Sequence, residues 1–269
     1  MNMLFVSVSQ HEKRMSMSIG KMKKYKEMVV NPVLRPHLPE TYWMTDSRTL
    51  RMLKTYSSVF IKPNFGSGGS GIIRVKRLRN GYEVRCGPSR KVVGAHSVLK
   101  SIHSYRKSKD HYLVQKGLRI AEYQGKIFDI RVYLQKPEDK WRISGMTARV
   151  AAPHKFVTNY QKGGHAESLQ KVLLNLFQNN QIKVANCFRK IEQLSITVAN
   201  TVNKWHSIHE LGVDLALDKN GHMWIIEANS HPGHQLFTQL PDHTMIKTIM
   251  DNKRRIEEKN NKINLKGRR

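Results

Sequence analysis

The chain has 269 residues, 39% of them hydrophobic, with 47 Lys and Arg against 20 Asp and Glu, for a formal net charge of +27. That length is ample for one large domain or two lobes around a buried core. Its longest apolar runs, such as Val172-Leu173-Leu174, are far too short to span a bilayer, so membrane insertion is excluded. Cys86 and Cys187 are too few for a disulfide framework and read as packing residues in a reducing cytoplasm. The charge calls for an anionic partner (nucleotide, nucleic acid, anionic polymer or acidic peptide) without naming one. No RNP, zinc-finger or helix-turn-helix signature accompanies it, which disfavours nucleic acid without excluding it.

In chain order, the run Met3 to Val8 is too short for a signal peptide and no small-residue cleavage site follows it. A helix is predicted near 19–29, an irregular connection at Pro32, Pro36 and Pro39, and a short helix over 46–56 with Asp46 or Ser47 as N-cap. Val59 to Ile61 reads as a strand entering a glycine cluster and Ile72 to Leu78 as the strand leaving it. Asn80-Gly81 then turns the chain into Tyr82 to Cys86. A helix over 95–107 precedes a strand at Tyr112 to Gln115. Ile127 to Gln135 and Trp141 to Val150 read as paired long strands turned around Pro137-Glu138-Asp139. Helices are predicted over 166–178 and 184–208, then a hairpin over 212–227 and a charged, exposed tail over 251–269. Hairpin-joined strand pairs mixed with helices point to an α+β fold rather than a doubly wound parallel sheet.

The hairpin carries the first chemistry. Asn220-Gly221 is a strong two-residue turn signal between Val213 to Leu217 and Met223 to Ile226. A two-residue loop there sets Asp214 opposite Glu227, where like charges destabilise a sheet by up to about 1 kcal/mol unless a cation lies between them. Glu227 and Asn229 leave the same strand face. Three oxygen ligands converging in this way suit Mg²⁺; the bland reading is an edge strand whose charges face water.

The second constellation is Lys62-Pro63-Asn64-Phe65-Gly66-Ser67-Gly68-Gly69-Ser70-Gly71. Glycines let backbone N–H groups approach phosphate oxygens. A Walker A loop would end in Lys-Ser/Thr, which is missing here. Gly66, Gly68 and Gly71 satisfy G-x-G-x-x-G, but Ile72 to Val75 is a β-type run where the Rossmann motif needs a helix. A glycine flap between two strands, or a plain linker, remains.

Lys-Pro with Gly-Ser-x-Gly-x-Gly-Ile, the later Phe-Asp-Ile-Arg-Val strand, and Gly-Val-Asp followed by Glu-Ala-Asn-Ser-x-Pro-Gly together resemble the ATP-grasp superfamily. Within it the chain resembles the endospore-coat-associated YheC/YheD-type group, over about residues 15–250 and including His37 to Thr41. The resemblance implies two lobes, each with a mainly antiparallel sheet and helices, holding ATP between them. It sets an N-terminal segment at 1–57, a small lobe at 58–116, a large lobe at 117–250 and a basic tail at 251–269. Lys62 would contact phosphates, and Gly66, Ser67, Gly68, Gly69, Ser70 and Gly71 would close over them. Gln115, Lys116, Gly117 and Leu118 would form the adenine hinge, and Glu122 would take the ribose. Arg131 and Arg149 would serve the reacting centre, with Asp129 orienting Arg131. Asn159, Gly163 and Gly164 would line the acceptor site, and Asp214, Glu227 and Asn229 would hold Mg²⁺. The implied activity is an ATP- and Mg²⁺-dependent carboxylate–amine (or thiol) ligase working through an acyl-phosphate on anionic substrates, in the cytoplasm or at the spore coat with coat proteins as partners. The alternatives are a non-catalytic coat protein that keeps the nucleotide-binding fold, and a polyanion-binding protein. An upstream lysine of the family pattern is left open among Lys21, Lys23 and Lys24.

Overall fold

The computed structural model describes residues 19–66, 68–107, 111–153, 158 and 163–266. Among these, two antiparallel sheets form. The first contains β1 (Thr41–Trp43), β2 (Ser58–Pro63), β3 (Ile73–Leu78), β4 (Gly81–Cys86), β5 (Ser89–Val93) and β6 (Tyr112–Lys116), in the order β1-β6-β2-β3-β4-β5. Helices α2 (Asp46–Thr55) and α3 (Val98–His103) cover one of its faces, burying Met52, Leu53, Val98 and Ile102 against Ile61, Ile73, Val75 and Val84. By the two-residue period of a strand, the opposite face carries Phe60, Lys62, Arg74 and Lys76.

The second sheet contains β8 (Lys126–Gln135), β9 (Arg142–Val150), β10 (His165–Glu167), β11 (Glu210–Leu217) and β12 (Met223–Asn229), in the order β10-β9-β8-β11-β12, with the short β7 (Glu122–Tyr123) on β8. One face packs on α1 (Lys21–Val29), α4 (Leu169–Leu176) and α5 (Gln181–Asn203) through Ile130, Val132, Leu134, Val213, Leu215 and Ile191. The other face begins as a small apolar cluster of Tyr133, Phe237 and Ile249 beneath α6 (Thr244–Lys266). It then turns polar at Asp129, Arg131, Arg149 and Asp214, so the same strands serve a core on one side and a charged floor on the other.

Several local expectations shift. Helix α2 is capped by Thr45, whose hydroxyl accepts from Arg48 N, because Thr45 holds the extended backbone that an N-cap needs. The first hairpin pairs Leu78 with Gly81, so its two loop residues are Arg79 and Asn80. Gly81 sits at φ +126°, and a Cβ there would lie 2.4 Å from Val93 O. Residues 165–167 form an edge strand on β9, and the helix begins only at Leu169 behind a Ser168 cap. The basic segment from 251 continues α6 and buries Ile256. Its apolar spacing is diluted by lysines that reach out of the helix, as Lys253 does to Glu210 on β11 and Lys259 to Asp139 in the turn between β8 and β9.

Ile249 is fully buried between this helix and β8, whose Gln135 amide donates to Ile249 O. We expect Ile249→Ala to lower unfolding free energy by about 2–4 kcal/mol in urea titration, as for a core truncation; no loss would mean that α6 is not docked.

Candidate functional site

The polar floor of the second sheet is a charge array built by strand register. Asp214 on β11 pairs with Arg131 on β8, and Asp129 on β8 with Arg149 on β9. Arg131 donates to both oxygens of Asp214, at 2.6 and 3.1 Å. Arg149 clasps Asp129 in the same forked way, at 2.6 and 2.7 Å, and reaches Asp214 Oδ2 at 2.7 Å. Thr158 donates to Asp129 as well. All four charged groups are buried. Burial opposes the Asp214 charge, but Arg131 and Arg149 outweigh it and hold the carboxyl below its usual range. Burial likewise opposes the charge on Arg149, and Asp129 and Asp214 more than restore it. Asp129 thus orients Arg149, its cross-strand partner, rather than Arg131, which shares its strand: forked pairing reaches across a sheet more readily than along it.

On the next strand Asp214 faces Glu227 and Gly212 faces Asn229, as expected, but by a different route. Nearer the turn the pairs are Leu215 with Ile225 and Leu217 with Met223, a register displaced by one residue. The loop is longer than two residues: Gly221 N bonds to Asp218 O, Asp218 N bonds to His222 O, and Gly221 takes φ +80°. That is a type I turn closed by a glycine bulge. The Asp218 carboxylate fixes it by accepting from Asn220 N, His222 N and the Trp224 indole. A second bulge between Asp214 and Leu215 leaves Ile226 as the extra residue and restores the pairing at Glu227.

Helix α1 stands between β1 of the first sheet and β12 of the second. A cleft between the sheets is lined by Lys21, Lys24, Thr41, Lys62, Gln115, Ile226 and Glu227. Lys62 is buried and donates to Gln115 Oε1 at 2.6 Å, while Gln115 donates to Thr41. Burial lowers the Lys62 pKa against the attraction of Glu227. Lys21 joins the two lobes, donating to Gly66 O at 2.7 Å with its ammonium 3.3 Å from Glu227. Lys24, one helical turn on, is buried and pushed down to about 8 by desolvation. Of the three lysines that sequence alone left open, Lys21 and Lys24 line the cleft and Lys23 is exposed. Their three-residue spacing on one helix face is the signal that could have found them.

The remaining expected residues are placed as follows. Gly66, Gly68, Gly69 and Gly71 link β2 to β3 with φ between +67° and +105°, the conformations for which glycine is suited. Ser70 belongs to that loop, while Ser67 and Asn159 lie outside the described residues. Lys116 and Gly117 leave β6 at the crossing between sheets; Gly117 N bonds to Ser58 O, and a Cβ there would strike Ser58. Lys116 lies between the Tyr56 and Trp224 rings, 5.2 and 5.1 Å from their centroids. Leu118 follows, half-buried. Glu122 is exposed and pairs with Lys219 of the hairpin loop at 3.4 Å. Gly163, at φ +86°, and Gly164 precede β10 beside the floor. His206 pairs with Glu27 at 2.8 Å, tying α5 to α1.

A model of the YheC/D like ATP-grasp family matches residues 15–255. The chain belongs to that family. It is 27% identical over 219 residues to the endospore coat-associated protein YheD of Bacillus subtilis, covering 77% of this chain and 47% of that one. It is 25% identical over 210 residues to YheC of the same organism, covering 76% and 57%. The chain thus spans about half the length of these curated relatives. Among solved structures, the D-alanyl-alanine synthetase A of Vibrio cholerae superposes with a TM-score of 0.53 at 16% identity, over 87% of this chain and 60% of that one. The fold is therefore the ATP-grasp fold. Among the described residues, no helix is long and apolar enough to cross a membrane.

The donors at the β11–β12 hairpin differ in how free they are to hold the metal that this family implies. Glu227 keeps 30% of its side chain exposed and already stands beside one cation, the Lys21 ammonium. Asn229 Oδ1 accepts from His231 N and has a second lone pair. Asp214 Oδ2 accepts from both arginines, which leaves one lone pair on Oδ1. Among the described residues, no group of three His, Cys, Asp or Glu could hold a metal ion. Oxygen donors of this kind fit Mg²⁺ at Glu227 and Asn229, with Asp214 committed to the arginines.

Lys24 gives the pH test. With a folded pKa near 8 against its ordinary 10.5, the unfolded chain holds the extra proton between those values. Stability should rise across that window and carry the full cost of the buried charge below it. We expect Lys24→Met to stabilise the protein at pH 7 by up to about 3 kcal/mol and to flatten the rise above pH 8. Melting curves from pH 7 to 10.5 measure both.

Proposed function

We propose that this chain is an ATP-dependent ligase that joins a carboxylate to an amine or a thiol. A carboxylate oxygen attacks the γ-phosphorus of ATP, releasing ADP and forming an acyl-phosphate. The nucleophile then attacks the acyl carbon, phosphate leaves, and the nucleophile's proton passes to solvent. Such chemistry rests on positioning and charge neutralisation rather than on a protein nucleophile. The observation that carries the reading is the gathering of Lys21, Lys24 and Lys62 around one cleft with Glu227, where Lys21 also reaches the glycine loop at Gly66 O.

In this reading residues 58–116 are the small lobe and 117–250 the large lobe. Lys62 and Lys21 hold the phosphates, with Gly66 to Gly71 closing over them. Gln115 to Leu118 receive the adenine, and Glu122 releases Lys219 to reach the ribose. Arg131 and Arg149 steady charge on the transferring phosphoryl group, and Asp214 and Asp129 fix their guanidinium planes. Gly163, Gly164 and Asn159 border the acceptor. Mg²⁺, held at Glu227 and Asn229, neutralises phosphate charge when bound. The spore coat is the proposed setting, by likeness to the two relatives named for it. The competing reading is a coat component that binds nucleotide without turning it over, and the commitment of Asp214 to two arginines favours it.

A screen of amino acids, short peptides and anionic polymers for Mg²⁺-dependent ADP release separates the two. Release that requires a carboxylate substrate supports the ligase, whereas nucleotide binding without release supports the competitor. We expect Glu227→Ala to abolish release while the melting temperature holds. Asp129→Asn should lower kcat on the order of 10²-fold with little change in KM for ATP, because it loosens Arg149 rather than removing a phosphate contact. Unchanged turnover in either variant refutes the role assigned to it.

A further inference from the structure

On the small lobe, the sheet face that bears Lys62 continues outward to strands to which the proposed chemistry assigns no role. Between residues 58 and 107 there are eleven Lys and Arg and one acid, Glu83. Strand register brings several of the cations together: Arg74, Arg85 and Arg90 lie side by side on β3, β4 and β5. They share the face turned away from α2 and α3. Glu83 is held by Arg74 and Arg90, each at 2.6 Å, which pins the row flat against the sheet. Arg90 and Lys76 are exposed on this face, whereas Arg77 and Lys91 alternate to the other, towards Lys54 O and the Tyr105 ring.

The row ends at an edge. Among the described residues β5 pairs only with β4, in continuous register from Tyr82/Val93 to Cys86/Ser89, with no bulge and no proline between 89 and 93. Cys86 and Ser89 flank a two-residue loop, so bonded pairs fall at 86/89, 84/91 and 82/93. Alternation then directs the backbone N–H and C=O of Arg90 and Val92 outward. Val92 is 56% exposed between these groups. Edges are commonly blunted by lysine, proline or a bulge. The one lysine of β5, Lys91, pairs with Val84 on the helix-covered face and lies over the Tyr105 ring, so the other face of the edge keeps its outward backbone groups beside Arg90 and Val92.

We propose that the β5 edge docks an extended acidic peptide segment as a further strand of the small-lobe sheet. Main-chain bonds to Arg90 and Val92 would supply affinity, and a carboxylate set against the exposed Arg90 side chain, next to an apolar group against Val92, would supply selectivity. A strand added here lies about four strand spacings, roughly 19 Å, from β2 and Lys62. It would tether a partner beside the cleft without filling it.

The test is fluorescence anisotropy of the whole chain with a labelled short peptide that alternates Glu with Val. Two further versions are N-methylated on every second amide, in opposite phases. We expect one phase to lose binding by at least about tenfold and the other to keep it, the mark of strand pairing. Val92→Pro, which removes an outward N–H and spares the β4 ladder, and Arg90→Glu should each weaken the unmethylated peptide similarly. Equal binding of both methylated peptides would overturn the proposal in favour of charge alone. So would a single-stranded oligonucleotide that binds more tightly and displaces the peptide, or self-association of the chain that Val92→Pro abolishes. The methylated peptides read out on the unaltered protein, so a misfolded variant cannot mask the answer.

Discussion

Four ionised side chains meet on one face of the large sheet, and that face depends on how they are paired. Arg131, Asp214, Arg149 and Asp129 alternate in sign across three strands, each guanidinium forked onto a carboxylate. Burying any one of them alone would cost several kcal/mol. Placed together they sum to zero and satisfy one another, which lets a sheet with an apolar core on one face present rigid charge on the other. Ladder register sets the geometry, so the donors are in place before any ligand arrives.

The cleft beside β12 has the reverse character. Lys24 and Lys62 are buried with little direct neutralisation, and desolvation lowers the pKa of both. The floor is electrically complete and the cleft is short of anions. A ligand carrying several negative charges relieves that imbalance, and Lys21, spanning Gly66 O and Glu227, marks where the relief would come. The overall +27 is broader than the cleft requires, which suggests looking for its use elsewhere on the surface.

What the sequence made legible followed from chemistry that is local in the chain. The strand–glycine–strand order, the long β8–β9 pair and the meeting of Asp214 with Glu227 could all be read from alternation and turn residues. The last of these came out right although its premise did not hold. The hairpin loop is one residue longer than two, and Ile226 adds one to the return strand, so the two departures cancel. Neither has a strong signature, because any residue can be the extra one in a bulge. Other features were hidden because they exist only in three dimensions. Asp129 looked like a partner for Arg131, two residues away, but belongs to Arg149 across the ladder. The docking of α6 lay behind its lysines, whose stems cover apolar surface while their charges reach Glu210 on β11 and Asp139 in the turn between β8 and β9. The small-lobe edge β5 and the short β1 carry too few residues for a period to show.

The crossing between lobes has a mechanical consequence. Lys116 lies between Tyr56, which follows α2, and Trp224, on the large-lobe hairpin. Each ring attracts the ammonium by roughly 0.5–1 kcal/mol at a partly solvated position. Swinging the lobes apart must detach the cation from one ring while the other retains it. Both rings engage the cation together, so the crossing is clamped by the sum of the two contacts and gives way only by losing one of them.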